Sequence, residues 1–257
     1  MMSVGHIREY ASEALGLGLF MFSAGVFGTL LESPASELHQ SISDPFSRRI
    51  VMGLAMGLTA IGLIYSPWGR LSGAHNNPAV TITFWSLGKA TSSDALFYII
   101  AQFIGGIVGT FAVGVLFHEK FTEPPVTGVA TLPGETGEWI AFLSEILISL
   151  FMMGMVLTVS SSRWSRWTGV GAGILVTSYI IVEAPLSGMS MNPARTLSSA
   201  VVSSNYTSLW IYFTAPILGM LSAALLFRCL THQRQHCAKY YHCPKVRCIF
   251  CGYTPAS

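Results

Sequence analysis

Charge is what this sequence has least of. Only 10% of its 257 residues are Asp, Glu, Lys or Arg, against roughly 25% in a typical soluble domain. Twelve acidic and fourteen basic residues cannot solvate a soluble protein of 27.8 kDa. With 51% hydrophobic residues and a mean hydropathy of +0.55, the composition excludes disorder, coiled coil and a soluble globular domain. A net charge of +2, with no basic run, excludes nucleic acid as a partner. Cysteine is missing from the body of the chain. All five (Cys229, Cys237, Cys243, Cys248 and Cys251) stand at the C-terminal end, so disulfides do not staple the fold. No Ser/His/Asp set, Gly-rich phosphate loop or metal-ligand pair lies on an apolar stretch, so neither an intramembrane enzyme nor a cofactor is expected. What remains is a polytopic protein in contact with the lipid bilayer.

Six apolar stretches are long enough, or nearly so, to cross a bilayer as helices: 14–31, 50–65, 95–117, 139–160, 167–182 and 209–227. The first exceeds a signal-peptide apolar region and lacks a clean cleavage site after it, so it reads as a retained span. Two shorter segments, 79–87 and 194–202, span only roughly 14 Å each as helix. Irregular backbone at half-membrane depth survives only inside protein or beside water, so these read as re-entrant half-helices. Six crossings put both termini on one side. Placing them inside assigns Arg8, Arg70, Lys89, Arg163, Arg166, Arg228, Arg234, Lys239, Lys245 and Arg247 to the cytoplasm, against Arg48, Arg49 and Lys120 outside. The positive-inside rule therefore predicts cytoplasmic termini in the inner or plasma membrane of the cell.

The chain also repeats itself. Ser72-Gly73-Ala74-His75-Asn76-Asn77-Pro78-Ala79-Val80-Thr81 matches Ser187-Gly188-Met189-Ser190-Met191-Asn192-Pro193-Ala194-Arg195-Thr196 at six of ten positions, at an offset of 115. Glu13 in the first span answers Glu145 in the fourth. Each half reads as span, span, half-helix, span. Three crossings are odd, so the second half enters from the opposite face and the repeat is inverted. The predicted organisation is one domain over 1–230, with halves at about 8–118 and 138–230, and a tail over 231–257.

Asparagine is a favoured N-cap and proline a favoured first helical residue. Asn77 and Asn192 can cap their own half-helices through the carbonyl oxygen and leave an amide NH2 for an acceptor in a shared lumen. Each half-helix N-terminus carries about half a positive charge, and two such ends meeting at the midplane repel cations. The arrangement suits uncharged solutes with an acceptor oxygen.

These residues carry a resemblance. With Glu13, His75, Asn77-Pro78-Ala79, Tyr98-Ile99-Ile100-Ala101-Gln102, Glu145, Asn192-Pro193-Ala194-Arg195, and Trp210-Ile211 leading to Pro216, the chain resembles the aquaporin and aquaglyceroporin family, the major intrinsic proteins. The resemblance covers roughly residues 8–228. It implies an all-α membrane bundle of six spans and two half-helices, a homotetramer with one pore per subunit, and passive conduction of water, glycerol or similar small neutral molecules. It also implies a constriction at Arg195, Met189, Ile180 and a second-span residue, either Gly57 or Met56, with Gly53 a further alternative because the stretch 66–69 is longer than usual. Strict water channels of the family usually carry histidine where this chain has Ile180, and glycerol channels carry aromatics that are lacking here. This filter is apolar and fits neither pattern. The resemblance further implies that Glu13 and Glu145 are buried acceptors of loop amides, and that His75 faces the cytoplasmic vestibule.

Three features stand apart. Glu183 has no partner in the other half and is expected to bond loop amides or Arg195. The glycines of Gly53-x-x-x-Gly57 and Gly105-x-x-x-Gly109 read as helix contacts. The tail carries His232, His236, Cys237, His242, Cys243, Cys248 and Cys251. Although Cys248-x-x-Cys251-Gly252 resembles a zinc knuckle, the spacing of the four tail cysteines is unfamiliar, and a disordered thiol-bearing tail without metal is the expectation. A coupled secondary transporter is the competing function, because inverted repeats with broken helices occur there too.

Overall fold

The computed structural model describes residues 4–231, 235 and 237–255, and among these it contains helices and no strand. Eight helices build the body: α1 (Ile7–Glu32), α2 (Pro45–Tyr65), α3 (Pro78–Ser86), α4 (Ser92–Phe117), α5 (Glu138–Ser160), α6 (Thr168–Val182), α7 (Pro193–Ser203) and α8 (Leu209–Leu230). Single-turn helices Pro67–Ser72 and Ala184–Ser187 lead into the two half-helices α3 and α7. The local signals are those of ordinary helices. Asp44 caps α2 with Pro45 in the first turn, and Thr91 caps α4.

Five of the six expected spans have the length and hydropathy to cross a membrane. The exception is α6, with 15 residues. Its length of roughly 22 Å falls short of a bilayer core near 30 Å. It stops at Glu183, where Ala184-Pro185 begins the turn toward α7. Leu54, Leu58, Val108, Phe111, Phe151 and Leu225 are all exposed, an apolar outer belt that suits hydrocarbon rather than water.

The packing follows the repeat. Helix α1 packs chiefly on α4, α5 on α8, and α2 on α6 across the two halves. Backbones approach closely at these seams. A Cβ on Gly105 would stand 1.9 Å from the Ala14 carbonyl oxygen, and one on Gly219, its mate in the second half, 2.3 Å from that of Ile146. The start of α1 and the described tail lie on one face, where Arg247 of the tail pairs with Glu9 of α1 and bonds the Gly5 carbonyl. The turn before α3 touches the tail on that face, through Lys239 and Arg70. The turn before α7 instead bonds the α4–α5 connection, Gly134 N–H to Leu186 O. The half-helices thus enter from opposite faces.

Candidate functional site

The two half-helices meet by their N-termini. Oδ1 of Asn77 accepts from the Ala79 amide at 2.8 Å, and Oδ1 of Asn192 accepts from the amides of Ala194 at 3.0 Å and Arg195 at 3.2 Å. Such a cap contributes about 1 kcal/mol. The side-chain amides then cross between the halves: Asn77 Nδ2 donates to the Met191 carbonyl at 2.7 Å, and Asn192 Nδ2 to the Asn76 carbonyl at 2.8 Å.

The loops before each motif are bent alike. Gly73, Ala74 and Asn76 have φ of 98°, 56° and 47°; their mates Gly188, Met189 and Met191 have 78°, 51° and 54°. Left-handed backbone costs a non-glycine residue roughly 1–2 kcal/mol, so something must hold it. Glu13 does so in the first half, accepting from the amides of His75 at 3.0 Å and Asn76 at 2.6 Å and from Gln102 Nε2 at 2.8 Å. Glu145 accepts from the amides of Ser190 at 2.6 Å and Met191 at 2.7 Å and from the Ser187 hydroxyl at 2.8 Å. Both carboxylates are fully buried. Tyr98 and Tyr212 complete the scaffold by donating to the carbonyls of Ser72 and Ser187. Tyr212 was not among the expected site residues, yet it follows Tyr98 by 114 positions, the same offset that sets Gln102 opposite Pro216.

A cavity of about 430 Å³ lies between these elements, lined by Asn77 and Asn192, by His75, and by Arg195, Met189, Ile180 and Met56. Of the residues weighed for the second-span position, Gly57 is turned away. A Cβ there would stand 2.0 Å from Thr177 Oγ1 and 2.6 Å from the Gly173 carbonyl oxygen, so Gly57 serves the α2–α6 seam. Gly53 faces the same helix, 2.8 Å from the Thr177 carbonyl oxygen by the same measure. Met56 and, one turn away, Met52 line the cavity instead. The spacing of Met52, Met56 and Ala60 is the helical signal for that stripe.

The Arg195 side chain has no hydrogen-bond partner among the described residues, and its Nη1 is buried. Glu183 departs from expectation: its carboxylate accepts from neither the loop amides nor Arg195, although the residue is 7% exposed. The loop amides are already engaged, those of Ser190 and Met191 by Glu145, that of Met189 by the Ser187 hydroxyl and that of Asn192 by the Ser190 hydroxyl, which leaves Glu183 none to accept.

Residues 237–255 of the tail pack against the cavity mouth, contrary to the expected disordered extension. His75 is 3% exposed. Its Nε2 stands 2.8 Å from the Ala238 carbonyl, its Nδ1 3.1 Å from Thr81 Oγ1, and the Phe250 ring stacks on it at 5.4 Å and 8°. Tyr240 lines the cavity and donates its amide to the Gly73 carbonyl. Burial pushes the Lys239 ammonium below the usual lysine range, and it donates hydrogen bonds to the carbonyls of Arg70 and Leu71, each at 2.8 Å. Ligand atoms of Cys237, His242, Cys248 and Cys251 lie within 4.8 Å of one another. Cys243 is not part of that group and His242 takes its place; His232 and His236 lie outside the described residues.

An inverted pair of capped half-helices around a buried cavity, in an all-helical bundle with an apolar belt, defines a membrane channel rather than an enzyme. The chain belongs to the major intrinsic protein family, whose family model, Major intrinsic protein, matches residues 1–227. It is 36% identical to Aquaporin NIP2-2 of Zea mays over 77% of this chain and 67% of that protein. It is 33% identical to Aquaporin NIP1-2 of Arabidopsis thaliana over 88% and 75%. A Probable aquaporin NIP-type of Nicotiana alata is 36% identical over 66% of this chain, which spans 62% of that relative's length. The fold matches the X-ray structure of the aquaglyceroporin from Plasmodium falciparum with a TM-score of 0.73 at 22% identity, covering 88% of this chain and 96% of that one.

Proposed function

We propose that this chain conducts water and small neutral, glycerol-like solutes passively and holds back ions and protons. The crossing of Asn77 and Asn192 carries the reading. Each side chain commits its oxygen to its own cap and one N–H to the facing loop, which leaves the second N–H as a donor toward the cavity. Two half-helix N-termini aimed at the same place disfavour a cation or a hopping proton. Pro78, Ala79, Pro193 and Ala194 start the helices that do this. The proposed constriction is Arg195, Met189, Ile180 and Met56, with Arg195 Nη1 as the donor to a passing oxygen. His75 is the proposed vestibule residue, its two ring nitrogens engaged by the Ala238 carbonyl and by Thr81, and Glu13 and Glu145 are the structural carboxylates.

A coupled transporter would need a titratable ion site in the body of the bundle. Glu13 and Glu145 are each already engaged by three donors, and Glu183, buried without a hydrogen-bond partner among the described residues, is not on the cavity wall. That disfavours the second reading. The organisation proposed is a channel domain over 1–230 with halves at about 8–118 and 138–230, cytoplasmic termini, and a homotetramer. The ten-to-three distribution of basic residues supports the orientation, and protection of a C-terminal tag from external protease in intact cells checks it.

Stopped-flow light scattering on proteoliposomes, with water, glycerol, urea and ammonia side by side, tests the function. Fluxes above protein-free vesicles and indifferent to ion gradients are expected; flux that collapses with a protonophore would instead establish coupling.

A further inference from the structure

The tail segment brings three thiols and one imidazole together on the face where α1 begins. Cys237 Sγ lies 3.1 Å from Cys248 Sγ, and His242 Nε2 lies 3.2 Å from Cys251 Sγ. All four ligand atoms fall within 4.8 Å of one another. A tetrahedral zinc ion with bonds of about 2.3 Å to sulfur and 2.0 Å to nitrogen sets its ligands roughly 3.4–3.8 Å apart. The four atoms are therefore already near the corners that zinc needs. The turn is also shaped for it: Gly252, at φ 73°, donates its amide back to the Cys248 carbonyl and closes the Cys248-x-x-Cys251 loop. Three cysteines and a histidine are a donor set of structural zinc, and hard cations such as magnesium are disfavoured by it.

The ligands alternate with the residues that cover the pore. The carbonyl of Ala238, next to Cys237, accepts from His75 Nε2 at 2.8 Å, and that contact fixes the segment at one point. Tyr240, between Cys237 and His242, lines the cavity. Phe250, between Cys248 and Cys251, stacks on the His75 ring. No helix or strand is present in 237–255, and a segment this short without regular structure has little of its own to offset the entropy of ordering. We propose that Cys237, His242, Cys248 and Cys251 bind one zinc ion, and that this ion holds the tail as a plug on the mouth beside His75, so that zinc occupancy sets conduction. The conduction half of this inference rests on the channel reading above; the zinc half does not.

The test uses the full-length protein. Purified in detergent with zinc and then dialysed, it should hold one zinc per chain by elemental analysis. Cobalt(II) in its place should give the visible bands of a tetrahedral thiolate site. Cys248→Ser and Cys251→Ser should lose the metal, while Cys229→Ser and Cys243→Ser should keep it. In proteoliposomes, a membrane-permeant zinc chelator should raise water permeability several-fold, and added zinc should restore the closed level. Arg247→Ala is the second variant, because it breaks the pair with Glu9 without touching a ligand. It should keep its zinc and conduct more than the wild type. Substoichiometric zinc in the wild type, or equal zinc in Cys248→Ser, overturns the site. A permeability that ignores zinc removal overturns the plug. If neither the loaded nor the stripped protein conducts above lipid alone, the channel reading fails, and the zinc content by itself still decides the site.

Discussion

Asn77 and Asn192 are bound to each other's loops: the Nδ2 of Asn77 reaches the carbonyl of Met191, and the Nδ2 of Asn192 that of Asn76. Each bond closes a contact more than 110 positions apart in sequence, and the pair ties the two halves at the point where both half-helices begin. Asn77→Asp separates the cap from the tie. It keeps an oxygen for the Ala79 amide but sets a carboxylate oxygen against the Met191 carbonyl, 2.7 Å from where the donor was. The loss of one bond and the new repulsion should cost about 2–3 kcal/mol. The expected outcome is a melting temperature several degrees lower in detergent, with reduced water flux. Wild-type stability in Asn77→Asp would mean that the tie contributes nothing.

Glu145 accepts three hydrogen bonds and is fully buried. Bonds to a charged acceptor contribute about 1.5–3 kcal/mol each, against about 1 for neutral ones. Glu145→Gln keeps the shape but offers one oxygen where two accept now, and turns an NH2 toward a backbone N–H. Stability should fall by about 3 kcal/mol or more. Glu13→Gln should do less harm, because Gln102 can turn its own carbonyl oxygen, now unpartnered, toward the new NH2. Equal melting shifts for the two variants would contradict this difference.

The repeat made the half-helices, their asparagine caps and the pairing of Glu13 with Glu145 visible from sequence, because each rests on a residue type with one favoured use at that spacing. Three things were not visible. Ala74, Asn76, Met189 and Met191 adopt left-handed backbone that no local propensity announces; the two glutamates impose it from other helices. Gly57 and Met56 are neighbours, and which of them faces the cavity depends on a rotation of α2 that Thr177 and Gly173 decide. The tail meets His75 across 163 positions, and an unfamiliar cysteine spacing says nothing about such a contact.

The Met56 and Gly57 assignments predict opposite phenotypes from adjacent substitutions. Met56→Ala removes a side chain from the cavity wall and should raise glycerol flux relative to water, at a stability cost of about 2–4 kcal/mol typical of a buried methionine. Gly57→Ala drives a methyl into Thr177 Oγ1 and the Gly173 carbonyl. It should separate α2 from α6 and lower the yield of folded protein, with no specific change in the solute profile. A clean shift of selectivity in well-folded Gly57→Ala would return that residue to the constriction.

Arg195 lines the cavity together with Met189 and Ile180. Its side chain has no hydrogen-bond partner among the described residues and its Nη1 is buried, which suits the donor to a passing solute proposed above. A buried guanidinium is costly to desolvate; its removal relieves that cost and breaks no side-chain hydrogen bond among the described residues, while taking one positive charge from near the buried Glu145 carboxylate. Arg195→Val should therefore leave the melting temperature unchanged or raise it slightly. The backbone amide that Arg195 gives to the Asn192 cap is retained in the variant, so the half-helix keeps its start. What is lost is a fixed positive charge and a set of donors beside Met189 and Ile180, two side chains that offer a passing molecule no hydrogen bond. Larger neutral solutes should then pass several-fold faster, and a cation or proton leak absent from the wild type should appear in voltage-clamped bilayers. Ile180→His in the wild-type background should act in the other direction, narrowing the cavity and supplying a polar edge, so that water flux survives while glycerol flux falls. If Arg195→Val is stable and yet its solute profile and ion leak match those of the wild type, the constriction lies elsewhere along the cavity, with Met52 and Phe20 the next residues on its wall to be tested.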